Sequence, residues 1–294
     1  MTIKVGDEVN PPETPRGVVV VGGSRIGVAI GRAFRNRRDR VACLTREPPV
    51  AADVFDYVVQ VDCSAPAEAT IAVERAHDRL GRLDVLVLAV ASMPIAPAHE
   101  TSDEQWSSAL DDGLAAPFYV LRAALPHLVG GGSIVAVGST NSYLAAPGLA
   151  AYSAAKAGLD GLIRQVALDY GPLGIRANIV APALISAGEV AGLAAGYPVG
   201  RVGQPEDVAE AVAFLASDAA QFISGVTLPV EGGLSIASPS AYLQPHLRAR
   251  FPHFHAPRSP FERSCPGPVS DPQAREPDFR NDQSGEVERP VDAY

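Results

Sequence analysis

Tyr152 and Lys156 stand four residues apart in the run Ala151-Tyr-Ser-Ala-Ala-Lys156. On a helix this spacing sets a phenol and an ammonium on one face, one turn from each other, where both address the same small volume. A free phenol titrates near pH 10 and is a poor acid or base at neutrality. A cation within about 4–6 Å in a desolvated cleft favours the phenolate and moves it toward the working range. The spacing alone is a weak signal in a chain with 8 tyrosines, since an amphipathic helix with a solvated lysine also produces it. Composition sharpens it. Of 24 lysines and arginines, only Lys4 and Lys156 are lysines. A compact, pKa-adjustable ammonium is kept where an always-charged planar guanidinium could not substitute. Ser139 follows the apolar run Ser133-Ile-Val-Ala-Val137, and a strand ending there presents its hydroxyl at the carboxyl edge of a sheet.

The elements that must position these groups are also legible. Gly17-Val-Val-Val-Val21 reads as a buried strand, and Gly22-Gly-Ser-Arg-Ile-Gly27 as the turn into a helix carrying Ile30 and Phe34. Strand, glycine turn and helix together make a site for the phosphates of a dinucleotide: glycines let the backbone approach, and helix N-terminal amides receive the charge. Further strands are expected over Val41–Thr45, Tyr57–Val61 and Leu83–Val87, and the helix that carries Tyr152 is expected to run to Tyr170. The fold class predicted is α/β, a single Rossmann-like doubly wound parallel sheet with helices on both faces.

At 294 residues and 47% hydrophobic composition the chain can bury one large core. A formal net charge of −9 with no basic stripe argues against a nucleic-acid surface. Cys43, Cys63 and Cys265 show no metal-ligand spacing and suit free thiols in a reducing cytoplasm. The apolar stretch over 85–98 is broken by Pro94 and Pro97 and is too short to span a bilayer, so a cytoplasmic protein with no membrane partner is expected. Residues 1–15 read as a flexible arm, 16–235 as the folded domain and 236–294 as a Pro-rich disordered extension. His253 and His255 in that extension are assigned no function.

Ser139, Tyr152 thirteen residues later and then Lys156 resemble the catalytic set of the classical short-chain dehydrogenase/reductases, similar to 3-oxoacyl-acyl-carrier-protein reductase-like members, over roughly 16–235. The resemblance implies that Ser139 holds a substrate oxygen, that Tyr152 gives or takes its proton, and that Lys156 lowers the tyrosine pKa and holds the nicotinamide ribose. It assigns the cofactor to Gly22, Ser24, Arg25, Ile26, Gly27, Arg46, Asp62, Ala89, Tyr152, Lys156, Pro182 and Ile185. Thr45 followed by Arg46 at a strand end suits a 2′-phosphate, and with Arg25 favours NADP(H) over NAD(H). Asp62 resembles an adenine contact, though it reads equally well as a helix cap. Gly174–Pro182 resembles the sixth strand of the family, and Leu184–Tyr197, with Glu189 as its one charge, the substrate lid. A neutral or apolar carbonyl substrate and a homotetramer or homodimer are implied, with the helix after Ser102 and the catalytic helix at one interface.

Three departures accompany the match. The family turn Gly-x-x-x-Gly-x-Gly is one residue short here, read as deletion of its middle glycine, or alternatively with Ala29 in place of the last one. Leu88-Ala-Val-Ala91 replaces the family's Asn-Asn-Ala-Gly, and Gly113 stands where an asparagine holds a proton-relay water. These residues predict an active but slow carbonyl/alcohol oxidoreductase. The alternatives are a binding or scaffold protein that kept the fold, and a lyase or epimerase on the same scaffold.

Overall fold

In the computed structural model the described residues are 15–128, 130–186, 194, 196–236, 238 and 246, all within one compact unit that spans 1–256. The proposed disordered extension lies almost wholly outside them, as do residues 1–14. Seven strands form one parallel sheet: β1 (Gly17–Val21), β2 (Arg40–Thr45), β3 (Tyr57–Gln60), β4 (Val85–Leu88), β5 (Gly132–Val137), β6 (Ile175–Pro182) and β7 (Thr227–Val230), in the order β3-β2-β1-β4-β5-β6-β7. The β3 and β4 boundaries differ by one or two residues from expectation, because Val61 and Leu83 flank the ladders rather than join them.

β1 shows why an all-valine run serves here. Val19 and Val21 point into one side layer, Val18 and Val20 into the other, and each is essentially unexposed. A strand covered on both faces has no polar side, so its sequence is continuously apolar. Helices α1 (Arg25–Asn36) and α6 (Pro205–Leu215) cover one face; α2 (Pro66–Leu80), α4 (Ala116–Leu128) and α5 (Ala150–Tyr170) cover the other. Cys43 is buried with the first layer and Cys63 with the second, and both are free thiols.

The chain reverses its winding between β1 and β4. Loops leaving the carboxyl ends of those two strands splay apart there, and open α/β sheets bind ligands in that crevice. Helix α3 (Asp103–Leu110), opened by a Ser102/Gln105 capping box, runs through one π-helical turn at Asp111–Ala115 into α4. The wide turn re-aims the helix against α5 beneath Tyr152 and Lys156, the kind of place where π-bulges are kept.

Candidate active site

Two cavities open side by side at the crevice. One, of about 500 Å³, is walled by Ser139, Tyr152 and Lys156 together with Met93, Leu149, Ile185 and Leu234. The other, of about 440 Å³, is walled by the glycine turn, the end of β2 and Asp62. They share Ser24, Ala89, Val90 and Ala91. An elongated ligand with a hydrophobic or polar group at each end has room to lie across both.

The expected trio is brought together. Ser139 stands in extended backbone two residues beyond β5, accepts a hydrogen bond from Asn141 N–H at 3.1 Å and lines the same cavity as Tyr152. Tyr152 sits in the first turn of α5, and Lys156 lies one turn deeper, fully buried, with Nζ 5.8 Å from the Tyr152 ring centroid. The ammonium donates to the Val137 carbonyl at 2.8 Å, so the strand end that carries Ser139 also anchors the lysine.

The electrostatics correct one expectation. In this arrangement burial sets the net direction and raises the Tyr152 pKa, with Ser139 opposing that rise. Burial instead lowers Lys156 from 10.5 to about 8, countered by Asp160. With its ammonium turned to a carbonyl, the lysine has no direct bond to the phenol. At neutral pH Tyr152 therefore stands protonated, set up as a donor.

Asp160 went unnoticed in the sequence, although Tyr152, Lys156 and Asp160 at four-residue spacing form one stripe of α5. One of its oxygens accepts from Ser142 at 3.2 Å, while the other, Oδ1, is buried with no hydrogen-bond partner. Burial raises its pKa. It is the carboxylate whose field keeps Lys156 charged.

The glycine turn is Gly22-Gly-Ser24, followed at once by α1, whose N-cap is Ser24. Gly27 and Ile26 lie in its first turn, as the deletion reading places them. A Cβ on Gly27 would lie 1.9 Å from the Gly22 carbonyl oxygen, so the helix can start this close to β1 only with glycine there. The free amides at the start of α1 face the crevice floor, and this geometry fits a pyrophosphate.

Arg46 and Arg25, expected to act together, line adjoining hollows that share Val50. Arg25 lines a neighbouring hollow with Arg32 and Glu206, whereas Arg46 lines the 440 Å³ cavity. The Arg46 guanidinium is held by Asp62 at 2.9 Å and by Asp112 at 2.7 Å, which raises its pKa and pulls Asp62 down to about 2. Asp62 is not a helix cap: α2 begins after Ala65 without a side-chain cap, and Asp62 closes its own turn by accepting from Ser64 N and Oγ. Asp112, 10% exposed and in the π-turn, had no signal in the sequence that linked it to Arg46 across 66 residues.

Pro182 ends β6 at the cavity rim, and Ile185 forms a bridge with Gly203. Leu184 and Ser186 make the two ladder bonds, which turns the Ile185 backbone groups the other way. Leu184 N also donates to the Tyr197 hydroxyl at 3.2 Å. Glu189 and most of the expected lid lie outside the described residues.

Comparison with known proteins agrees with this geometry. The family model described as Enoyl-(Acyl carrier protein) reductase matches residues 23–235. A crystal structure of an oxidoreductase from Burkholderia thailandensis, titled as short chain dehydrogenase/reductase family, superposes with a TM-score of 0.68 at 34% identity, over 76% of this chain and 94% of that one. The chain is a short-chain dehydrogenase/reductase. The cis-4-hydroxycyclohexanecarboxylate dehydrogenase of Sinomonas cyclohexanicum is 40% identical over 60% of this chain and 75% of its own length. The 3-oxoacyl-acyl-carrier-protein reductase of Escherichia coli is 31% identical over 74% of this chain and 96% of its own. Short-chain dehydrogenase/reductases use nicotinamide cofactors and are oxidoreductases.

Gly113, where the resemblance expects an asparagine, packs closely against α5. A Cβ there would sit 2.8 Å from Cβ of Ala155, between Tyr152 and Lys156. Gly113→Asn is therefore expected to push α5 outward and to lower stability by about 1–3 kcal/mol rather than to speed turnover. Thermal unfolding checks this, and Gly113→Asn with Ala155→Gly should regain most of the loss.

Proposed function

We propose that the chain is an NADP(H)-dependent oxidoreductase that interconverts a carbonyl and a secondary alcohol, with Tyr152 as general acid and base. The observation that carries this reading is that Ser139, Tyr152 and the buried Lys156 line one cavity, and that this cavity also reaches Ser24 and Ile26 at the glycine turn. A nicotinamide cofactor, when bound, supplies or takes the hydride. The residues that would hold it are Gly22, Ser24 and the α1 amides at the phosphates, Arg46 and Asp62 at the adenosine end, and Lys156, Pro182 and Ile185 at the other.

The work of the chain itself is positional and electrostatic. Ser139 donates to the substrate oxygen and fixes it beside Tyr152, and Tyr152 passes its proton to that oxygen as charge develops there. Lys156, cationic below about pH 8, stabilises the phenolate left behind, and Asp160 keeps it cationic. Met93, Leu149, Ile185 and Leu234 make the cavity apolar, which supports a neutral or apolar carbonyl substrate. Buried free thiols fit a cytoplasmic setting. Among the described residues no helix is long and apolar enough to cross a membrane.

The test is calorimetric titration with NADPH and with NADH, then a ketone screen with each. Binding of either followed by ketone-dependent oxidation of the reduced cofactor supports the reading. No binding at millimolar concentrations would leave a fold kept as a binding surface.

A 2′-phosphate must share Arg46 with two carboxylates already on it. Asp112→Asn removes one of these competitors, so NADPH is expected to bind about 10-fold more tightly while NADH changes little. Weaker NADPH binding in this variant would mean that Asp112 orients Arg46 instead. For assembly, the exposed Trp106 and Phe118 on α3 and α4 and Leu168 on α5 support a homotetramer or homodimer, which light scattering measures.

A further inference from the structure

Helices α2 and α4 pack through small residues, Ala69, Ala72 and Ala76 of α2 against Val120, Leu121 and Ala124 of α4, and this close approach brings their last turns together. Glu74 and His77, three residues apart, share the face of α2 beside α4, and His127 stands in the last turn of α4. His127 Nε2 lies 3.1 Å from Glu74 Oε1. The His77 and His127 rings stack with centroids 4.2 Å apart and planes 24° from parallel. One ligand atom from each of the three residues lies within 4.8 Å of the others, and this is the one such group among the described residues.

We propose that Glu74, His77 and His127 bind a divalent transition-metal ion of the zinc class, as a brace between α2 and α4. Two imidazoles and a carboxylate are a zinc donor set, and three protein ligands leave a fourth position to water. Tetrahedral ligands stand about 3.3–3.5 Å apart, so binding needs the ligand atoms to close by about 1 Å and the stacked rings to turn until their in-plane lone pairs converge. All three side chains are partly exposed and reachable without opening the core. The surroundings favour a cation. Both histidines lie at helix C-termini, where the backbone dipole is negative, and Asp78 brings a second carboxylate 3.7 Å from His77 Nδ1. A simple His–Glu hydrogen bond would need His127 and Glu74 alone; His77 adds a third ligand atom within 4.8 Å of both. The helices end where β4 and β5 begin, at the opposite edge of the sheet from Tyr152, so this site is separate from the cleft.

The experiment is Zn²⁺ titration of metal-stripped full-length protein by calorimetry near pH 7.5, repeated with Co²⁺ for its visible absorption bands. His253 and His255 are the competing donors in the sequence, so the His253→Ala/His255→Ala variant is titrated in parallel. Expected is one equivalent bound in the micromolar range, retained in the tail variant and weakened about tenfold or more in His77→Ala and His127→Ala. Exposed Glu74→Gln, which should leave the fold intact, is expected to weaken binding and to abolish the tetrahedral Co²⁺ bands. Binding lost in the tail variant but unchanged in Glu74→Gln and His127→Ala overturns the proposal, as does no binding at all.

Discussion

Tyr152→Phe is expected to reduce turnover about 10³-fold while leaving cofactor affinity nearly unchanged. The phenol is the acidic group that faces Ser139 across the larger cavity, and its raised pKa keeps the proton in place at neutral pH. Removing one oxygen leaves the ring, its half-buried packing and Lys156 as they were. The loss should therefore appear in kcat rather than in calorimetric cofactor binding. The pH profile carries the mechanism further. Lys156 titrates at about 8, so reduction is expected to fall as pH rises past that value, when the cation that would stabilise the phenolate is lost. A variant that retains a tenth of wild-type turnover would remove Tyr152 from the chemistry, and the lyase or epimerase reading would be taken up in its place.

Lys156→Met is expected to abolish turnover and yet to raise stability at pH 7. The ammonium is fully buried, and lowering its pKa from 10.5 to about 8 means that the folded state disfavours the charge by about 3 kcal/mol. The side chain also satisfies the Val137 carbonyl, whose loss costs about 1 kcal/mol, so a net gain of about 2 kcal/mol remains. In a domain of this size that raises the melting temperature by about 4–8 °C. The sign changes with pH in a definite way. Below pH 8 both states hold the proton and the folded protein carries the full penalty. Between 8 and 10.5 the unfolded chain holds a proton that the folded one has released, so wild-type stability from this group rises with pH and the variant's advantage shrinks. A lower melting temperature for Lys156→Met at pH 7 would show that the bond to Val137 outweighs the burial of charge.

Much of this was legible in the sequence, for physical reasons that differ from residue to residue. The valines of β1, the glycine turn and the Tyr152–Lys156 spacing obey local rules of period and backbone freedom, and the folded chain follows them. Arg25 and Arg46 were paired by their positions in the glycine turn and at the end of β2, but a position carries no record of which hollow its side chain lines. Asp112 reaches Arg46 through a π-turn, and no helical period predicts that contact. The direction of the Tyr152 shift was missed because spacing reports proximity to a cation and not the depth at which both groups are held. Asp160 was readable as the next step of the same stripe, and only its unpartnered oxygen marks it as more than a helix-surface acid.

The two buried thiols divide the molecule in a useful way. Burial pushes Cys43 and Cys63 up to about 12, each behind a different face of the sheet, so neither is a nucleophile while its layer is closed. In a Cys265→Ser background, the alkylation rate of each becomes a clock for the opening of one helical layer. If the faces come away together, the two clocks keep the same time; if the α1–α6 layer loosens first, Cys43 runs ahead.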